Sequence, residues 1–199
     1  NYLKLKGSIF MDRRARRTQS KLKEALITLM KNKDINQITV KELAELADIN
    51  RKTFYLHYRD IFDMLDNVKQ DLLEEFTQVI SLHNDIKNDV DQPLLLMKDT
   101  FEFVDKNSEI LSILIGTELN SDFIFINKMK DLMKEHCVNV WNKLYPNVNK
   151  NNYDYLYSAA FYGYIGLAQT WINSDKKDSP DYMAKITSQV ILKLFDSIE

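Results

Sequence analysis

Apolar residues recur along this chain every three or four positions, which is the spacing of one face of an α-helix. Such stripes cover residues 18–31, 40–47, 51–57, 61–82, 93–106, 109–116, 122–144, 152–173 and 180–198. Only four Gly and three Pro occur in 199 residues, so few of the turn residues that a β-rich fold needs are present. The pattern therefore predicts an all-α protein of about nine helices.

The segment from Thr39 to Tyr58 predicts two short helices joined by a tight turn. Thr39 and Asn50 are suited to be N-caps, because their side-chain oxygens can accept a free amide N–H of the first helical turn. Ile49 is the apolar residue expected to fill the turn. The inner face of the first helix is predicted to consist of Leu43, Leu46 and Ala47.

In the second helix of this pair, Phe54 and Tyr58 are four residues apart and are predicted to face the core. The outer face is then polar, with Arg51, Lys52, Thr53, Tyr55 and His57. These side chains suit a DNA major groove: Arg and Lys donate to guanine, Thr touches a thymine methyl, and Tyr reaches a phosphate. The segment therefore predicts a helix-turn-helix with its second helix as the reading helix.

Residues 38–60, ITVKELAELADINRKTFYLHYRD, closely resemble the DNA-binding segment of the TetR family of transcriptional regulators, whose usual string is aaGVs.gtfY.hF..K..L. The matching residues are Ala44, Ala47, Ile49, Asn50, Thr53, Phe54, Tyr55, His57, Tyr58 and Met64. Two positions depart from that string. Lys52 replaces the usual glycine of the reading helix, and Ile61 replaces a lysine that often contacts phosphate. Arg59 or Lys52 is interpreted as the substitute for that lysine.

The resemblance implies a homodimeric repressor that is released from a palindromic operator by a small apolar or aromatic effector. It implies an N-terminal three-helix DNA-binding domain over 11–60, with Met11 interpreted as the natural start. The helical domain over 61–199 would bind the effector and dimerise. The alternative is a co-activator with the same DNA-binding end whose C-terminal domain binds a protein partner. The effector, the operator, the regulated genes and the sign of regulation stay open at this point.

Charge is divided unequally along the chain. Residues 1–60 carry 14 Lys and Arg against seven Asp and Glu, whereas residues 61–199 carry 13 against 22. A basic end and an acidic remainder indicate nucleic-acid contact at one end only. The four arginines before the helix predicted from Thr18 are interpreted as an arm or helix start that contacts phosphates. The predicted DNA contacts are Arg13, Arg14, Arg16, Arg17, Thr39, Asn50, Arg51, Lys52, Thr53, Tyr55, His57 and Arg59.

The second part of the chain is rich in aromatic residues and Met, which can line an apolar pocket or simply fill a core. The predicted pocket residues are Phe101, Met129, Met133, Cys137, Trp141, Tyr157, Phe161 and Tyr164. Two glycines within one helix cost about 1 kcal/mol each relative to Ala, so they indicate close approach of another helix. The predicted dimer interface is Gly163, Gly166, Leu167, Trp171, Ile186, Val190 and Leu194, with packing inside one chain as the alternative.

Several function classes find no support in the sequence. A single cysteine, Cys137, excludes an internal disulfide and a multi-cysteine zinc site. The adjacent His136 diverges from it by about 100° on a helix, so no metal and no cofactor are expected. No set of residues typical of an enzyme active site stands out. No apolar run approaches the roughly 18 residues of a membrane span, and a cytoplasmic protein is expected.

Overall fold

The computed structural model describes residues 13–83, 92–116, 121–144 and 149–196. Within these ranges the chain forms nine α-helices and no strand, which confirms the predicted all-α class. Their bounds are α1 Arg13–Met30, α2 Val40–Leu46, α3 Arg51–Tyr55, α4 Ile61–Ser81, α5 Gln92–Lys106, α6 Ser108–Leu114, α7 Phe123–Leu144, α8 Tyr153–Asn173 and α9 Pro180–Asp196. The predicted start at Met11 lies outside the described residues.

Two compact units make up the chain, the first ending at Gln70 and the second beginning at Asp71. The point of division lies within α4, so the first turns of this helix belong with the first unit. The domain boundary predicted at residue 60 was placed where the helix-turn-helix pattern ends, and this boundary stays a prediction.

The core of the first unit is built from α1, α2, α3 and the beginning of α4. Its fully buried side chains are Leu22, Leu26, Leu43, Phe54 and Met64. The prediction that Leu46 faces inward is wrong, because that side chain is about half exposed. Ala44 takes its place. On so short a helix the buried arc is centred between residues 43, 44 and 47, and residue 46 falls outside it.

α1 begins at Arg13, whereas the sequence pattern predicted a start near Thr18. Arg13, Arg16 and Arg17 are therefore part of the helix, so of the two interpretations, an arm or a helix start, the structure shows the helix start for these residues. Arg and Ala are among the best helix formers, and no Gly or Pro interrupts this stretch, so the helix extends through it.

In the second unit, α5 lies along α9, and α8 packs against α7 and α9. Two of the predicted helix starts in this unit, those near residues 122 and 180, are confirmed by side-chain caps. Asp122 Oδ1 accepts the N–H of Phe125 at 2.9 Å, and Ser179 Oγ accepts the N–H of Tyr182 at 3.2 Å. Near the start of α7, Phe123 is exposed, whereas Phe125 is buried.

Candidate nucleic-acid interface

The turn between α2 and α3 is closed by backbone hydrogen bonds. The N–H of Ile49 donates to the carbonyl of Ala44 at 2.9 Å, and the N–H of Asp48 donates to that of Glu45 at 3.2 Å. This pair of bonds is the Schellman arrangement, in which one residue adopts a left-handed conformation. That residue is Asp48, with φ of 54°. The turn thus fixes the direction in which the chain leaves α2.

Both predicted N-caps of this motif are confirmed. Thr39 Oγ1 accepts the N–H of Glu42 at 3.2 Å, and Asn50 Oδ1 accepts the N–H of Lys52 at 2.9 Å. Each cap satisfies an amide that has no partner within its own helix. The start of α3, where the predicted contacts with DNA are concentrated, is therefore defined by a side chain of the turn itself.

α3 has one buried face and one exposed face. Phe54 is fully buried, and Tyr58, just beyond the helix, is 9% exposed and packs against it with a ring separation of 5.7 Å. Arg51 and Lys52 are exposed, and Tyr55 is 59% exposed. The structure therefore places three of the predicted DNA contacts on the surface of one short helix, with the hydrophobic anchor behind them.

Leu56 is a further exposed residue of this motif, and it is absent from the predicted DNA contacts. It follows α3 directly, keeps helical backbone angles and is 81% exposed. At about 100° per residue it points about 160° away from both Phe54 and Tyr58, so it is the most outward position of the turn. An apolar side chain among cationic neighbours is suited to contact a thymine methyl group. The sequence does indicate this position, because Leu56 is two residues from both Phe54 and Tyr58 and therefore lies opposite the buried face.

The other predicted DNA contacts of the motif differ in exposure and in the hydrogen bonds that they make within the protein. Thr39 is exposed, and His57 is half-buried. Arg59 is held by Asp63: its Nη2 lies 2.9 Å from Oδ1, and its backbone N–H donates to Oδ2 at 2.9 Å. Hydrogen bonding to this carboxylate raises the pKa of the Arg59 guanidinium, and the bonds from Arg59 lower the pKa of Asp63. A phosphate would therefore compete with Asp63 for Arg59.

Three arginines of α1 lie on one helical face. Arg13, Arg16 and Arg17 are exposed and are spaced three and four residues apart, so they are neighbours on the helix surface. The Arg14 side chain lies outside the described residues. No acidic residue occupies the first turn, where the helix dipole is positive. Positive charges at this end of the helix destabilise it when no partner is bound, and they favour the binding of an anion.

In the second unit, most of the predicted pocket residues form a close-packed aromatic core. The ring of Phe101 lies 5.3 Å from that of Tyr164 and 5.5 Å from that of Trp171. Tyr157 and Phe161 lie 6.1 Å apart. Met129 and Met133 are also buried. The rings pack against neighbouring rings, which is the core alternative that the sequence left open.

The other two predicted pocket residues, Cys137 and Trp141, line a cavity of about 50 Å³. It lies between α5, α7 and α9, and is lined by Pro93, Leu96, Met97, His136, Cys137, Val140, Trp141, Ser188, Ile191 and Leu192. Burial raises the pKa of the Cys137 thiol to about 12, so the sulfur stays protonated and is a poor nucleophile. The cavity is thus mainly apolar, with two polar residues in its wall.

A wider polar groove of about 370 Å³ lies between α4 and α7, and His136 lines both the groove and the cavity. Burial, together with the charge of the nearby His83, lowers the pKa of His136. His83 Nε2 is in turn 2.8 Å from Asp99 Oδ2. His136 is therefore neutral near pH 7.

The predicted dimer residues lie partly on an open face of α8 and α9. Gly163 is exposed, and an added Cβ at Gly163 or Gly166 would meet no atom within 4 Å. Leu167 and Ile186 are half-buried and Val190 is exposed, while the side chain of Leu194 lies outside the described residues. Trp171 is a correction: it is buried, and its indole N–H donates to the carbonyl of Asp178 at 2.9 Å, so it does not lie on that face.

Among the described residues, no group of His, Cys, Asp and Glu side chains is arranged to hold a metal ion. In the same ranges no helix combines the length and the apolar character needed to cross a bilayer.

A two-helix motif with capped starts, a buried inner face and a cationic outer face defines a helix-turn-helix DNA-binding fold. Comparison with known proteins agrees with this class. Residues 91–193 match a TetR-type family model described as the C-terminal region of transcriptional regulators. That match covers just over half of the chain, which therefore belongs to the TetR family of transcriptional regulators.

Individual relatives are consistent with this assignment. The chain is 27% identical over 176 residues to an uncharacterized HTH-type transcriptional regulator, YxbF of Bacillus subtilis, covering 84% of this chain. It spans only 43% of that relative's length. In fold it is similar to the fatty acid degradation regulator FadR from Bacillus halodurans, with a TM-score of 0.65, 18% identity and coverage of 88% and 94% of the two chains. A TetR regulator from Streptococcus agalactiae gives a TM-score of 0.60, 19% identity and coverage of 90% and 96%.

Proposed function

We propose that this protein binds a palindromic operator as a homodimer and represses transcription until a small effector releases it. The observation that carries the proposal is the outer face of α3, where Arg51, Lys52 and Tyr55 are exposed on a helix anchored by fully buried Phe54. Arg51 and Lys52 would contact bases and phosphates, and Tyr55 would contact a phosphate or a base edge. Thr53 is half-buried and would reach only a neighbouring base.

Contacts with the phosphates of the DNA backbone would hold α3 in the major groove. Thr39 is exposed and can accept its cap hydrogen bond while donating its hydroxyl proton to a phosphate oxygen. The arginine face of α1 supplies further phosphate contacts, whose contribution is independent of base sequence and falls as salt is added.

Dimerisation follows from the limited reach of one five-residue reading helix. Two copies related by two-fold symmetry double the number of bases read, and their reading helices would enter successive major grooves about 34–36 Å apart. The open space above Gly163 and Gly166 supports the α8–α9 face as the interface, since it admits a close partner helix.

An effector would act by binding differently to the DNA-competent and DNA-incompetent forms of the dimer, because only such a difference changes operator affinity. The cavity between α5, α7 and α9 supports a small molecule over the alternative of a protein partner. Loss of the DNA-competent spacing on binding would release the operator.

Selection of bound sequences from a random double-stranded DNA library tests this proposal. The full chain should enrich an inverted repeat whose half-sites are centred about 10 base pairs, or a multiple of that, apart. The matched control is a variant with Arg51→Ala and Tyr55→Ala, which should enrich no motif while keeping its helical content. A non-palindromic motif, or equal enrichment by the variant, would contradict the proposal.

A further inference from the structure

The turn between α3 and α4 holds one arginine by three hydrogen bonds to a single carboxylate. Asp63 Oδ1 accepts from Arg59 Nη2 at 2.9 Å and from Arg59 Nε at 3.2 Å, and Asp63 Oδ2 accepts the Arg59 backbone N–H at 2.9 Å. The Asp63 side chain is 19% exposed, whereas that of Arg59 is 86% exposed. The guanidinium is therefore held from the protein side while most of its surface faces solvent.

Arg59 keeps part of its hydrogen-bonding capacity for a ligand. A guanidinium has five N–H groups in a fixed planar fork, and Asp63 takes the one on Nε and one of the two on Nη2. The others have no acceptor in the described part of the chain. Two of them form the outer edge between Nη1 and Nη2, which can bind two phosphate oxygens at once. A phosphate therefore competes with Asp63 only for the inner edge of the guanidinium.

The positive charge of Arg59 is masked at a distance. Hydrogen bonds from the Arg59 backbone and side chain lower the pKa of Asp63, so this carboxylate is ionised, and Asp60 adds a second negative charge close to the guanidinium. Position 61 supplies no cation, because Ile61 stands there and is 4% exposed. The start of α4 therefore attracts DNA weakly until a phosphate comes within hydrogen-bond distance of the outer edge of Arg59.

We propose that Asp63 is a positioning residue for DNA recognition: it orients Arg59 to bind one backbone phosphate of the operator, and it masks the charge of Arg59 on all other DNA. A guanidinium that is already oriented loses little freedom on binding, so the contact is strong where base contacts hold the phosphate in register. On random DNA no base contact fixes the register, and the carboxylates repel the phosphates. This inference rests on the proposed function, because it assigns two residues a role within operator binding.

The phosphate contact is tested with operator duplexes in which one phosphate at a time is replaced by an uncharged methylphosphonate. Binding of the full chain is followed by fluorescence anisotropy. In wild type, the replacement at the phosphate bound by Arg59 should lower affinity by about tenfold, since a hydrogen bond between charged groups is lost. Arg59→Gln should bind more weakly than wild type and should be insensitive to replacement at that position alone. If no position distinguishes the two proteins, Arg59 contacts no phosphate and the proposal is overturned.

The role of Asp63 is tested by a double-mutant cycle of Asp63→Asn and Arg59→Gln. The measured quantity is the ratio of operator affinity to random-DNA affinity, in which a charge effect common to all DNA cancels. Asp63→Asn should raise the affinity for random DNA and lower this ratio by about threefold to tenfold. In the Arg59→Gln background it should leave the ratio unchanged. The matched control is Asp66→Asn, which removes a 72% exposed carboxylate of the same helix, 2.8 Å from Lys69, and should leave the ratio unchanged.

The cycle also separates positioning from a purely structural role of Asp63 at the start of α4. Destabilisation of α4 by Asp63→Asn would change the ratio equally with and without Arg59, and that result overturns the proposal, as does an unchanged ratio in Asp63→Asn alone. Absence of any sequence-specific binding would instead overturn the proposed function. The same cycle on random DNA would then decide the masking: Asp63→Asn should raise affinity more in wild type than in Arg59→Gln, and an equal gain overturns the inference.

Discussion

Tyr55→Ala should weaken operator binding and lower the free energy of unfolding by at most about 1.5 kcal/mol. The Tyr55 side chain is 59% exposed, and its ring meets Phe54 edge-on at 5.4 Å. An aromatic side chain buries about 150–250 Å² when fully covered, so the covered part here amounts to roughly 80 Å². At about 25 cal/mol per Å² this is at most roughly 2 kcal/mol, and the better helix propensity of Ala returns about 0.5 kcal/mol of it.

The effect on DNA binding should be larger. A hydrogen bond to a charged group such as a phosphate contributes about 1.5–3 kcal/mol, which corresponds to a loss of about 10- to 150-fold at each half-site. Tyr55→Phe removes the hydroxyl alone, so it should reproduce most of this loss if the hydroxyl contacts phosphate. It should leave thermal unfolding unchanged.

Tyr58→Ala is the matched control, because Tyr58 is nearly buried and packs on the inner side of Phe54. Truncating a buried aromatic residue costs about 3–5 kcal/mol, so this variant should unfold at a clearly lower temperature. The two quantities are measured by fluorescence anisotropy with a selected operator and by thermal unfolding followed by circular dichroism. If Tyr55→Ala binds the operator as wild type does, or lowers the unfolding temperature as much as Tyr58→Ala, the assigned faces of α3 are wrong.

Three further predictions concern the turn, a buried histidine and the α8–α9 face. Asp48→Gly should stabilise the first unit by up to about 1 kcal/mol in chemical denaturation, since glycine adopts φ of 54° without the cost of a side chain; a less stable glycine variant, with Asp48→Ala as comparison, would contradict this. His136 has a lowered pKa, so the unfolded chain binds more protons; stability should fall as pH decreases through about 6.5 and level off below the folded pKa. His136→Gln should lose this pH dependence, and an equal dependence in the variant would exclude His136 as its source. Gly163→Met should leave the fold intact, since its Cβ meets no atom within 4 Å, but should shift the dimer towards monomer in sedimentation equilibrium; an unchanged dimer would place the interface elsewhere.

The local features of the helix-turn-helix could be predicted from the sequence because they depend on residues close together in the chain. Thr39 and Asn50 each accept a hydrogen bond from an amide two or three residues ahead, and both predicted caps are present. Phe54 and Tyr58 are four residues apart, so their shared face follows from helical geometry. The exposed position of Leu56 follows from the same helical geometry, but its polar neighbours are the more typical DNA contacts.

Most of the cavity wall could not be predicted, because it comes from three helices that are distant in sequence. Aromatic composition indicated a pocket around Phe101, Tyr157 and Tyr164, but these rings stack on their own neighbours.

The most direct test of sequence-specific operator binding is fluorescence anisotropy with labelled DNA from immediately upstream of the protein's own gene, titrated across salt concentrations against random-sequence competitor. We expect the protein to bind this DNA at least about 10³-fold more tightly than the competitor. Affinity should fall steeply with salt, and the salt slope should become shallower by up to about one for each α1 arginine replaced by glutamine. Equal affinity for both DNAs, or no binding even at low salt, would contradict it.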